Sequence, residues 1–184
     1  GVLGCAKHFP GHGDTSVDSH LGLPIIDKPE DQLMQNELYP FRKAIESSID
    51  LVMPGHLAIP AFTGSRDTPA SLSKNVISNL LRKKLGFDGA VITDALNMHA
   101  VSKMFELPGE LELTALNAGN DILSFSSQIP EAIELISKKA SSGRIQQSFE
   151  KLNELKKKAG LYTNERVESS ALSKNEVEKF RFRL

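Results

Sequence analysis

At 184 residues the chain is long enough for one domain with a substantial core. Its 22 Lys and Arg nearly balance 23 Asp and Glu, for a net charge of -1, so no strong field attracts nucleic acid or an anionic membrane surface. The single cysteine, Cys5, excludes an internal disulfide and any cysteine-rich zinc module, and no apolar run approaches the roughly 20 residues that span a bilayer. One cysteine assigns no compartment, because reduced and secreted proteins both do without disulfides. The chain opens on Gly1 rather than Met and runs directly into an apolar segment, so it is expected to be a piece of a longer protein.

Short apolar runs alternate with helical patterns along the chain. The first run, Val2 to Ala6, leads into Lys7-His8-Phe9-Pro10-Gly11-His12-Gly13. A helix is predicted over Glu30 to Ser48, with Pro29 near its start and Leu33, Leu38, Phe41 and Ile45 on one stripe. The second run, Asp50 to Met53, leads into Pro54-Gly55-His56. A helix over Ser73 to Leu85 follows, with a serine cap, the stripe Val76, Ile77, Leu80 and Leu81, and Gly86 as its stop. The third run, Ala90 to Thr93, meets Asp94. A helix from Glu110 to Ala118 ends at Gly119, and the fourth run is Asp121 to Phe125. Pro130 opens a helix that ends near Gly143, and a last helix runs from about Ile145 to Ala159, stopped by Gly160. Beyond Tyr162 the chain turns polar. Runs that are continuously apolar, without alternation, are what strands buried on both faces of a parallel sheet show.

Four βα units suggest a small open α/β sheet or half of an eight-unit barrel. Lys7, His8, His56 and Asp94 each fall just after a strand, where both architectures place their chemistry. No phosphate-binding glycine fingerprint follows any strand, which disfavours a nucleotide-binding open sheet. About 250 residues make a typical barrel, so four units fit a half. The expectation is a partial (β/α)8 TIM-barrel over residues 1–161, with 162–184 a linker or the start of a following domain.

The histidines His8, His12, His20, His56 and His99 lie in or beside the segments that follow strands, among Lys7, Asp14, Asp18 and Asp94. In Asp18-Ser19-His20 a carboxylate precedes an imidazole by two residues. If the side chains meet, the carboxylate orients the ring and supports its protonated form, and a histidine near neutrality both donates and accepts a proton. An exposed Asx turn is the bland alternative. Asp94, at the mouth of a buried strand, is placed to attack or to bind a cation, or simply to cap the next turn. Lys7 and His8 offer adjacent donors for sugar hydroxyls or a carboxylate. Asp121, after Gly119-Asn120, reads as a turn residue.

The stretch Lys7-His8-Phe9-Pro10-Gly11-His12-Gly13-Asp14-Thr15, followed by Asp18-Ser19-His20, resembles the signature loop of glycoside hydrolase family 3, in its β-N-acetylglucosaminidase (β-hexosaminidase) branch. Val52-Met53-Pro54-Gly55-His56, Gly86-Phe87-Asp88-Gly89-Ala90-Val91-Ile92-Thr93-Asp94 and Ala118-Gly119-Asn120-Asp121-Ile122-Leu123 are similar to that family in the same order. The resemblance implies the last four units of the family's catalytic barrel and a retaining enzyme acting on terminal β-linked N-acetylglucosamine, for instance in peptidoglycan fragments. It implies Asp94 as the nucleophile that forms a covalent glycosyl intermediate, His20 as acid/base and Asp18 as its orienting partner. Lys7 and His8 would bind sugar hydroxyls and His56 would line the site. No cofactor and no metal is expected. The missing first half of the barrel, or self-association through open sheet edges, would complete the site.

Two other readings are kept. A metal-dependent barrel hydrolase would use His8, His12, His20, His56 and Asp94 as ligands, although Pro10 and Gly11 prevent His8 and His12 from sharing a regular helix face. An inactive sugar-binding or assembly piece is the other.

Overall fold

The computed structural model describes residues 2–12 and 23–162, so Asp14, Asp18, His20 and residues 163–184 of the expected linker lie outside the described residues. Strands β1 (Cys5–Phe9), β2 (Leu51–Pro54) and β3 (Ala90–Val91) form a parallel sheet in the order β1-β2-β3. Cys5 stands opposite Leu51, and Leu51 opposite Ala90. Parallel neighbours require crossover connections, and helices supply them here.

The first crossover is α1 (Glu30–Gln35) and α2 (Tyr39–Glu46), two helices where one was predicted over Glu30 to Ser48. Pro40 accounts for the break. Inside a continuous helix its ring would meet the carbonyl four residues back and one hydrogen bond would be lost, so the chain turns and restarts with Pro40 in the first turn of α2. The predicted stripe survives the break, with Leu33, Leu38 and Phe41 buried.

The second crossover runs through α3 (Pro60–Thr63), a 3-10 turn at Ala70–Leu72 and a helix at Asn75–Lys84. That helix is wound wider than an α-helix, with i to i+5 hydrogen bonds. It still buries Val76, Ile77, Leu80 and Leu81, as the stripe requires. Its N-cap is Lys74 and not the expected serine, and the Ser73 carbonyl just before it accepts from Val76 N at 3.1 Å and Ile77 N at 3.0 Å. Gly86 ends it with φ +72°, a left-handed turn that a side chain would strain.

Beyond β3 come α4 (His99–Ser102), α5 (Glu110–Ala118), α6 (Ile129–Lys139) and α7 (Ser142–Lys158). Gly143, expected at the end of the penultimate helix, lies in the first turn of α7 instead. Ser141 is the reason: its hydroxyl accepts from Arg144 N at 3.2 Å and starts α7 early.

Two strand assignments also change. The first strand covers Cys5–Phe9 and not Val2 to Ala6, so Lys7 and His8 sit within it. Val2 is fully exposed, whereas Phe9 is fully buried and meets Phe41 edge to face at 5.2 Å. Core burial of that ring sets the register. Along β1, Cys5 and Lys7 face solvent, so this strand alternates. The fourth apolar run contributes one parallel bridge, Ile92 to Ile122. On one side of the bridge Val91 N donates to the Asp121 carboxylate at 2.9 Å, and on the other Ser124 N donates to the Thr93 hydroxyl at 2.8 Å in place of a strand carbonyl.

The core between sheet and helices gathers Phe9, Leu38, Phe41, Val52, Val76, Ile77, Leu80, Leu81, Phe87 and Val91. Asp121 is no simple turn residue. Its side chain is 1% exposed and bridges Arg82 at 2.6 Å and Arg144 at 2.7 Å. Ser148 donates to the same carboxylate at 3.2 Å. Arg82 also donates to the Gly89 carbonyl, and Arg144 to those of Leu116 and Asn120. One carboxylate thus joins the wide helix, β3, the end of α5 and α7. Asp121→Ala leaves two half-buried guanidinium groups without their anion and should lower stability by about 3 kcal/mol. Lys138→Ala, which breaks an exposed pair on α6, should change it by less than about 0.5 kcal/mol. Denaturant midpoints of the intact protein check both.

Candidate active site

The segments at the carboxyl ends of β1, β2 and β3 bring His8, His56 and Asp94 together. The Lys7–His8 and Phe9–Pro10 peptide bonds are cis, and Gly11 N donates to the His8 carbonyl at 2.8 Å. His8 Nε2 faces Asp94 Oδ2 at 3.6 Å, beyond hydrogen-bond reach. Gly55, next along β2, donates to the Phe9 carbonyl at 2.9 Å. A Cβ there would stand 2.7 Å from Leu57 Cδ2 and 3.1 Å from the His8 side chain, so only glycine lets the β2 loop close against His8.

Asp94 follows the β3 segment, and its Oδ1 accepts from Ala95 N at 2.8 Å. That leaves Oδ2 turned toward His8, in a side chain 21% exposed. The carboxylate is therefore oriented on one oxygen and open on the other. His56 is buried, and both ring nitrogens are engaged: Nδ1 with Ser71 Oγ at 2.7 Å, Nε2 with the Ala95 carbonyl at 2.9 Å. It stands behind the Asp94 turn. Ser71, in the apolar stretch Pro69-Ala70-Ser71-Leu72, was not picked out from the sequence. A polar residue inside an apolar run was the available signal.

Lys7 is exposed on β1, and the His12 ring meets the His8 ring edge-on at 5.7 Å. A cavity of about 800 Å³ runs along this side of β1, with Lys7, His8, His12 and Glu37 in its wall. Among the described residues, no group of three or more His, Cys, Asp or Glu side chains could hold a metal ion. His99 stands at the start of α4 and is exposed. No helix among the described residues is long and apolar enough to cross a membrane.

Burial pushes the pKa of His8 down, against the upward pull of Asp94 and with help from Lys7 and His12. Burial also pushes His56 down, against the Ala95 carbonyl and Asp94, with His8 adding to the depression. Both rings are neutral at neutral pH, so neither quenches the Asp94 charge as a cation. A histidine whose folded pKa is depressed binds more protons when unfolded. Stability should therefore fall as pH drops through the window just below 6.5, the ordinary imidazole value. This window is separate from that of Asp50, whose carboxyl is held low by Lys158 and the Gly4 amide and whose stabilisation is lost only below 3.8. Urea titrations on either side of pH 6.5 measure the slope, and His56→Gln should flatten it.

Residues 1–155 match the glycosyl hydrolase family 3 N terminal domain. The chain is 41% identical over 132 residues to β-hexosaminidase A of Pseudoalteromonas piscicida, covering 66% of this chain and 22% of that protein. It is 33% identical over 136 residues to the β-hexosaminidase of Methylobacillus flagellatus, covering 74% and 38%. A glycoside hydrolase family 3 β-N-acetylglucosaminidase from Paenibacillus sp. str. FPU-7 superposes with a TM-score of 0.84 at 38% identity, covering 94% of this chain and 33% of that one. The chain thus spans well under half the length of these curated relatives. With most of its residues matched, and its sheet and helices superposing on a solved member, the chain belongs to glycosyl hydrolase family 3, in that family's N-terminal domain.

Proposed function

We propose that the protein carrying this chain is a retaining glycosidase that removes terminal β-linked N-acetylglucosamine, with peptidoglycan fragments as a substrate. The observation that carries the reading is Asp94, held through Oδ1 by its own following amide while Oδ2 stays open toward His8. A nucleophilic carboxylate needs this fixed direction, because a reacting atom in line with its target removes much of the entropic barrier. Family membership and the β-hexosaminidase relatives support the substrate class.

In the proposed reaction Oδ2 of Asp94 attacks the anomeric carbon as the bond to the leaving oxygen breaks. His20, oriented by Asp18, gives that oxygen its proton. Water then surrenders a proton to His20 and attacks the same carbon, releasing Asp94 and the sugar with retained configuration. Such an enzyme departs from the usual two-carboxylate pair. Lys7 and His8 bind sugar hydroxyls. His56 serves the site from behind, since both its nitrogens are engaged. In this reading residues 1–161 are the C-terminal half of a TIM barrel and 162–184 lead to a following segment. The other barrel half, or a second copy across the open sheet edge, closes around the sugar.

Asp94→Ala in the intact protein should abolish turnover and leave the fold unchanged. A fluorinated glycosyl fluoride should trap the intermediate on the peptide holding Asp94. Mass spectrometry of the labelled digest checks the assignment, and a label on another carboxylate would refute it. His20→Ala should slow substrates with poor leaving groups far more than activated aryl glycosides, which need little protonation. Rates across a leaving-group series measure this, and an equal loss on every member would remove His20 from the acid role.

A further inference from the structure

We propose that Ser71 is a positioning residue for the nucleophile: through His56 it holds the Ala95 carbonyl, one peptide past Asp94, and with Ala95 the direction of the attacking oxygen. The inference rests on the reading of Asp94 as nucleophile and deepens it.

The hydrogen positions follow from chemistry. The Ala95 carbonyl can only accept, so His56 Nε2, 2.9 Å away, must carry a hydrogen. The ring is buried and neutral, so its Nδ1 bears a lone pair. Ser71 Oγ, at 2.7 Å, must then be the donor. The carbonyl thus selects the tautomer, and the hydroxyl meets the lone pair left on Nδ1 and holds the ring at that orientation. In the other tautomer, Nε2 would point a lone pair at the carbonyl oxygen and repel it.

Ser71 is itself held. It is fully buried, its N donates to the Gly55 carbonyl at 3.2 Å, and its carbonyl accepts from Asn120 Nδ2 at 2.8 Å. Asn120 Nδ2 also donates to the Ala115 carbonyl at 2.7 Å, which ties it to α5. A continuous chain therefore runs from α5 through Asn120, Ser71, His56 and the Ala95 peptide to Asp94. The Ala95 unit is gripped at both ends, its carbonyl by His56 and its N–H by Asp94 Oδ1. A shift of Ala95 would move the N–H that holds Oδ1 and turn Oδ2 away from its target. Each of these side chains acts through the next, and Asp94 is the one that meets the sugar.

The test uses the intact protein with nitrogen-15 histidine and the fluorinated glycosyl fluoride. The His56 nitrogen shifts should report a neutral ring with hydrogen on Nε2. In Ser71→Ala the hydrogen should stay on Nε2, facing the Ala95 carbonyl, while the Nδ1 shift moves toward that of an unbonded lone pair. The rate constant for labelling Asp94 should fall by about tenfold to a hundredfold, with the reagent's binding constant unchanged. Ser71→Cys should recover part of the rate, since a thiol donates weakly. Hydrogen on Nδ1 in the unsubstituted protein overturns the proposal, as does an unaltered labelling rate in Ser71→Ala. Hydrogen found on Nδ1 without any substitution refutes the proposal even where a variant fails to fold. A label found away from Asp94 refutes the nucleophile reading alone, because the His56 tautomer is read separately.

Discussion

A carboxylate excluded from water must be met by donors, and Asp121 is met by two guanidinium groups, a backbone amide and a hydroxyl. A charge buried this deeply is tolerated only when its lone pairs are satisfied. The partners come from Arg82, Val91, Arg144 and Ser148, far apart in sequence. Their convergence holds the wide helix, β3 and α7 in one arrangement. The same carboxylate takes the Val91 amide, just before the bridge between Ile92 and Ile122. Asp121 therefore ties the edge of the sheet to the helices docked on it.

The residue before it carries the constraint toward the chemistry. Asn120 is fully buried and reaches the Ser71 carbonyl, and Ser71 meets His56 behind Asp94. The charge cluster and the support behind Asp94 thus meet at two adjacent residues, Asn120 and Asp121. Around Asp94 the electrostatics follow a simple requirement. A cationic imidazole at 3.6 Å would pair with the carboxylate and lower its nucleophilicity. Burial depresses both His8 and His56, which disfavours a cationic ring beside the carboxylate.

Much of the architecture was legible in order and type. The apolar runs at Asp50 to Met53 and Ala90 to Thr93 lie at β2 and β3, and the stripe of Val76, Ile77, Leu80 and Leu81 faces the core because burial of apolar surface governs local pattern. Asp94 was legible for the same reason, since a charged residue ending an apolar strand has to emerge at its mouth. The break at Pro40 was signalled by the proline itself, but the continuous stripe on both sides masked it. The start of β1 was misplaced because Val2 to Ala6 is more apolar than Cys5 to Phe9, which carries Lys7 and His8. Only the need to seat the Phe9 ring against Phe41 separates the two.

The sequence alone determined the alternation of strand and helix, the family signature and the placement of His56 and Asp94 just past strand ends, whereas Lys7 and His8 lie inside the first strand. These determinations follow from periodicity and turn chemistry, which act over a few residues. Tertiary structure alone decided that His56 faces inward with both nitrogens engaged, that Ser71 stands behind it and that Asp121 bridges two arginines. Each depends on partners between 15 and 39 positions away. A hydrogen bond over that separation exists only when the fold brings its donor to its acceptor, and no local pattern records which pair will meet.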